Sequence, residues 1–191
     1  MKLIDTRRPD DAATAYANIL RWPLSVGYRH RPRQGCTCEA ADCTVPGAHP
    51  RSDSPVFFTP KLVVEELEES PGAGLIAWTT GFDALVFPRT AGMAAMVALD
   101  KVAQVPCIVT DESVILLVLP ATGRHVTAYR ADVGLRSGSG DWIAVPPSHG
   151  TRWDTPPWVP RANTPIPLLH GTEVGHCLSQ GASDAPGEVA R

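Results

Sequence analysis

Residues 36–50 read CTCEAADCTVPGAHP. Cys36, Cys38 and Cys43 fall within eight residues, and His49 follows just before Pro50. The spacing is C-x-C-x4-C-x5-H. Thiolate and imidazole are soft or borderline donors, and four of them on one short loop suit a tetrahedral zinc ion. Gly35 and Gly47 allow the tight turns that such a loop needs. The candidate ligands are therefore Cys36, Cys38, Cys43 and His49. The spacing departs from the common paired C-x2-C form. Two other readings stay open: a surface loop of reduced cysteines, and a disulfide pair among them.

Upstream, Asp10 and Asp11 open the alanine-rich run AATAYANILR, which predicts a helix over 11–21 ended by Trp22-Pro23. Leu24, Val26 and Tyr28 then alternate with small residues and predict a short strand. The segment RHRPRQG at 29–35 concentrates arginine next to the cysteines. It reads as a phosphate-facing patch or as an ordinary solvated loop.

Downstream, Thr59-Pro60 opens a helix over KLVVEELEES, and Pro71-Gly72 closes it. GLIAWTTG and FDALVF read as buried strands, with a helix over 90–102 after them. CIV at 107–109 and SVILLVLP at 113–120 predict a hairpin, with Asp111-Glu112 in its turn. Residues 121–140 are polar and glycine-rich, DWIAVPP at 141–147 predicts a last strand, and 148–167 have little periodicity. Together these predict an α+β fold: a mixed or antiparallel sheet flanked by helices, with the Cys/His loop at 35–50 inserted in it. One domain over 1–170 and a flexible tail over 171–191 complete the expected organisation.

The 191 residues suffice for one domain with a real core, and 43% of them are hydrophobic. A net charge of −3 argues against coating nucleic acid by bulk charge, yet permits a local basic patch. No apolar run approaches the ~18 residues that span a membrane. The start lacks a charged segment followed by an apolar one, so the reading expects no signal peptide, no membrane partner and a cytoplasmic location. In that compartment clustered cysteines bind metal more often than they pair as disulfides.

The order of these features resembles the N-terminal domain of bifunctional DNA primase/polymerases, a branch of the archaeo-eukaryotic primase superfamily. The matching pieces are Trp22-Pro23, the loop from Cys36 to Pro50, Thr80-Gly81 and GDWIAVPPS at 140–148. The resemblance covers about residues 10–160. It implies a primase-like α+β core whose sheet carries the active site, and a link to DNA replication. It also implies two acids, as D-x-D, at the end of the strand after the T-G turn, a histidine on the next hairpin strand, and a third acid before the last strand. Such carboxylates hold two magnesium ions for nucleotidyl transfer.

This chain departs from that pattern. The first strand ends in Val86-Phe87-Pro88, and SVILLVLP contains no histidine. Asp83 lies early on its strand, and Asp132 and Asp141 flank the glycine run out of clear register. Three functional readings follow. The first is a catalytically degenerate primase/polymerase-like domain that binds DNA or a nucleotide, with Arg31, Arg33 and Arg152 among the contacts and Trp142 and Trp153 as stacking surfaces. The second is a zinc-loop interaction module for replication or regulatory proteins. The third is a working polymerase, dependent on magnesium, built on displaced carboxylates. Ser148-His149 lacks a local acid for hydrolase chemistry. Cys177 with His170 and His176 offers a weak second metal motif.

Overall fold

The computed structural model describes residues 3–183. The chain is α+β, and every strand pairing is antiparallel. The strands form two sheets instead of the expected one.

Helix α1 (Pro9–Thr14) starts on a proline with Asp10 and Asp11 in its first turn, and it continues as a π-helical turn over Ala15–Ile19. The wider turn sends Tyr16 inward, fully buried. Its hydroxyl donates to the Pro146 carbonyl at 2.6 Å and accepts from Trp153 Nε1 at 2.8 Å. Trp22 stacks on its ring at 5.7 Å. The first helix is thereby bonded to segments that belong to both sheets.

The first sheet holds β1 (Leu24–Arg31), β2 (Gly35–Cys36), β3 (Ala73–Trp78) and β8 (Trp142–Val145), in the order β2-β1-β3-β8. One face carries Leu24, Val26, Leu75, Ala77, Ile143 and Val145, all in one core cluster with α1 and α2 (Pro60–Glu69). The second sheet runs β7-β4-β6-β5-β9, from β4 (Asp83–Pro88), β5 (Cys107–Val109), β6 (Ser113–Val118), β7 (Gly134–Arg136) and β9 (Arg152–Thr155). Strand alternation sends Ala84, Val86, Ile115 and Leu117 toward the first cluster, and Leu85, Phe87, Val114 and Leu116 toward a second. That second face is covered by α3 (Arg89–Leu99), α4 (Arg124–Thr127) and α5 (Gly171–Ser183). Burial on both faces explains why SVILLV is apolar without a break.

Three expectations need correction. Residues 121–140 contain α4 and the edge strand β7. The aperiodic stretch 148–167 contains β9, paired with β5, and a buried Trp158. The expected flexible tail is helix α5 over 171–183, because Val174 and Leu178 recur at helical spacing and bury in the second core cluster. Residues 184–191 lie outside the described residues. No helix among the described residues is long and apolar enough to cross a membrane.

Candidate metal centre and the adjoining cleft

The Cys/His loop begins as a hairpin. Arg33 and Gly35 take positive φ values of 69° and 82°, and β2 brings Cys36 opposite His30. Thr37 then bonds twice to Arg29, through its amide to the carbonyl and through its Oγ1 from the Arg29 amide. The far end of the loop returns along the other side of β1, where the Tyr28 amide donates to the His49 carbonyl at 3.0 Å and Pro50 bridges to Gly27.

This seating needs bare backbone beneath it. A Cβ on Gly27 would lie 2.5 Å from the His49 carbonyl oxygen, and one on Gly74 would lie 2.4 Å from that of Gly47. Both glycines sit on strands, where glycine otherwise weakens pairing and marks a close backbone approach. They are the sequence signal for where the loop docks.

The predicted ligands converge. The Sγ atoms of Cys36, Cys38 and Cys43 and a ring nitrogen of His49 lie within 4.8 Å of one another. His49 Nε2 is 3.3 Å from Cys36 Sγ and 3.4 Å from Cys43 Sγ. The Gly47 amide donates to Cys36 Sγ at 3.4 Å, and Tyr28 packs on the His49 ring at 4.7 Å. Burial raises the Cys36 thiol, but hydrogen bonds from Cys38, Gly47 and His49 outweigh it and bring it down to about 6. Burial and the hydrogen bonds with its neighbouring thiols push Cys43 up to about 11. A depressed thiol beside hydrogen-bond donors is already close to the ligand form that a metal requires. The four side chains could therefore hold a metal ion. All five cysteines are free thiols.

The loop also walls a cleft of about 490 Å³. Thr44, Val45, Pro46 and Ala48 form one side, and Val86, Ile115 and Ala144 line it from the strands. Trp142, half-buried and paired with Trp78 across β3 and β8, lines it too, with Asp111, Glu112 and Arg136. His149 faces this cleft and stacks on His30 at 3.7 Å. Burial and His30 hold the His149 imidazole below its ordinary value, against the pull of Asp111. Sequence reading missed this cleft, which six separate segments build.

The candidate carboxylates do not gather into a metal site. Asp83 is 1% exposed, and its carboxylate accepts from the Gly123 amide at 2.7 Å and from Ser137 Oγ at 2.6 Å. Asp141 accepts from the Ser137 amide at 3.0 Å and pairs with Arg136 at 3.5 Å. Asp132 instead takes both Nε and Nη2 of Arg130. Among the described residues, Cys36, Cys38, Cys43 and His49 are the one group of three or more such side chains placed to share an ion. Cys177, His170 and His176 do not form a second.

Ser148 is 3% exposed and bonds through Oγ to both the amide and the carbonyl of Leu75. It ties β3 to the turn after β8. Trp153, weighed as a stacking surface, gives its N–H to Tyr16 in the core. Cys107 lies buried against Met96, its thiol pushed by burial up to about 12. Arg31 and Arg33 are exposed at the β1–β2 turn, and Arg152 is exposed on β9 of the other sheet. No family model matches the chain, and searches of curated proteins and of solved structures also return no match.

Proposed function

We propose that this chain is a primase/polymerase-like domain that works by binding and not by nucleotidyl transfer, with zinc as the ion in its Cys/His loop. One observation carries the proposal. Where the resemblance puts metal-binding acids and a histidine, the cleft is lined by Val86 and Ile115. Neither side chain offers a ligand atom, and the nearest strand acid, Asp83, is consumed by Gly123 and Ser137. Two-metal phosphoryl transfer needs several carboxylates on one rigid face.

Zinc fits the donor set and its spacing. With bonds of ~2.3 Å to sulfur and ~2.0 Å to nitrogen, tetrahedral geometry sets sulfur–nitrogen separations at about 3.5 Å. The two sulfur–nitrogen separations in the structure are 3.3 and 3.4 Å. Element analysis of protein purified under reducing conditions is expected to give one zinc per chain, lost in Cys38→Ser. Metal-free protein from that preparation would remove the site.

The binding partner in this reading is single-stranded nucleic acid, contacted by the exposed Arg31, Arg33 and Arg152. Three phosphate contacts give a log–log salt slope of roughly −2. Primer-extension and de novo priming assays with magnesium or manganese are expected to yield no template-dependent product. Synthesis that disappears in Asp83→Ala, Asp132→Ala or Asp141→Ala would restore an active polymerase. A second reading, a protein-binding module, is favoured by Val45, 44% exposed on the loop, and by Asp111 and Glu112 lining the same cleft. Binding to single-stranded DNA that is absent, or flat with salt, selects that reading.

A further inference from the structure

A second cleft, of about 510 Å³, lies between α4 and α5, on the face of the second sheet turned away from the Cys/His loop. Val126 and Leu178 give it an apolar floor. Its polar lining offers donors: the imidazoles of His125 and His176, the Arg130 guanidinium, the Tyr129 phenol and the Thr172 hydroxyl, while Ser179 Oγ donates to the Gly175 carbonyl. None of the nine lining residues carries a carboxylate. A concave lining with a cation, several N–H and O–H groups and no acid of its own favours an anion, with Asp132 behind Arg130 a carboxylate that opposes it.

Two features narrow the anion. Asp132 takes Nε and Nη2 of Arg130, which leaves Nη1 for a ligand. Guanidinium is suited to phosphate because its charge is permanent and its donors are planar. Tyr129 is 89% exposed, a large ring lining the cleft with little packed on it. An exposed aromatic face beside a cation is a stacking platform for a flat ring.

We infer that the α4–α5 cleft binds a small phosphate monoester carrying an aromatic ring, the chemistry of a nucleoside monophosphate. Arg130 and His176 meet the phosphate, and Tyr129 stacks on the ring. Asp132 competes with the phosphate for Arg130 and so tunes the affinity. This site is separate from the metal-loop cleft, and it stands whether or not the chain binds nucleic acid there.

The test is an amide-resolved NMR titration of the full chain with four probes: AMP, phenyl phosphate, adenosine and inorganic phosphate. AMP and phenyl phosphate are expected to shift the amides of 124–130 and 172–179. Inorganic phosphate shifts them more weakly, and adenosine leaves them in place. Arg130→Gln lowers AMP affinity about 10-fold or more, the worth of one charge-assisted hydrogen bond. Asp132→Asn raises it, and Tyr129→Ala weakens AMP without changing inorganic phosphate. These residues are half-buried or exposed, so the variants fold, and the opposite signs at Arg130 and Asp132 exclude a merely structural effect. Equal binding of AMP and adenosine, shifts confined to the metal-loop cleft, an unchanged affinity in Arg130→Gln, or no binding of any phosphate probe at millimolar concentration would each overturn the inference.

Discussion

The Cys/His loop and the centre of the second sheet are held by different forces. Of the fifteen residues from Cys36 to Pro50, only Gly47 is buried. Of the twelve residues of β4 and β6, nine are buried. The sheet is stabilised by apolar burial, at about 25 cal/mol per Å² removed from water. The loop has almost no such area. The loop is held by its hydrogen bonds to β1 and, in the proposed function, by a metal that cross-links its four ligands. The two regions should therefore fail under different insults.

The largest effect is expected from the core. Phe87 is fully buried, opposite Val114, with the Arg130 guanidinium 5.8 Å from its ring centre. Phe87→Ala should cost about 3–5 kcal/mol. For a chain of this size that lowers Tm by roughly 6–20 °C. The loss should be global, and loop and sheet should unfold in one transition. A calorimetric scan showing the sheet melting while the loop stays ordered would reverse the comparison.

Removal of the proposed metal should act the other way. Chelation is expected to abolish hydrogen-exchange protection at the amides bonded within the loop, among them Glu39, Cys43, Gly47 and Ala48. Protection at β4 and β6 should stay within a few-fold of the loaded protein. Because Thr44–Ala48 wall the cleft, its mouth should loosen as well. Full loop protection after chelation would mean that the β1 contacts suffice and the metal is secondary.

The same contrast explains what could be read in advance. Buried strands announce themselves, and SVILLV and FDALVF were legible because both faces of the second sheet are covered. The metal ligands were legible because their chemistry is local and their spacing compact. Strands β7 and β9 were not. Each has three or four residues, and each exists because an edge of the second sheet offers a partner. Helix α5 was hidden by Gly171, Gly175 and Gly181, which lower intrinsic helix propensity; packing of Val174 and Leu178 overrides it. The role of Asp83 was beyond sequence pattern, since Gly123 and Ser137 reach it from 40 and 54 residues away.

The smallest effect concerns the thiols of the metal-free loop. Hydrogen bonds from Cys38, Gly47 and His49 outweigh burial at Cys36 and bring it to about 6, while burial and its thiol neighbours push Cys43 to about 11. An unfolded thiol titrates near ~8.5. Cys36, depressed on folding, stabilises the seated loop above the unfolded value, and that contribution fades as pH falls through 6. Cys43, raised on folding, contributes fully below the unfolded value and fades as pH rises through 11. The metal-free loop should therefore be best ordered near pH ~8.5, where the first term has saturated and the second has not declined. Both residues are half-buried at the surface, where solvent screens their charges, so the shift in order is small. Residue-resolved alkylation by iodoacetamide across pH should show it. Cys36 reacts fast at pH 7, because a thiol that titrates near 6 is roughly nine-tenths thiolate there. Cys43 and the buried Cys107 stay slow. If Cys36 and Cys43 instead titrate together near ~8.5, as free thiols do, the Gly47 and His49 hydrogen bonds do not persist without metal. The loop's order would then depend on the ion alone, which would sharpen the contrast with the sheet.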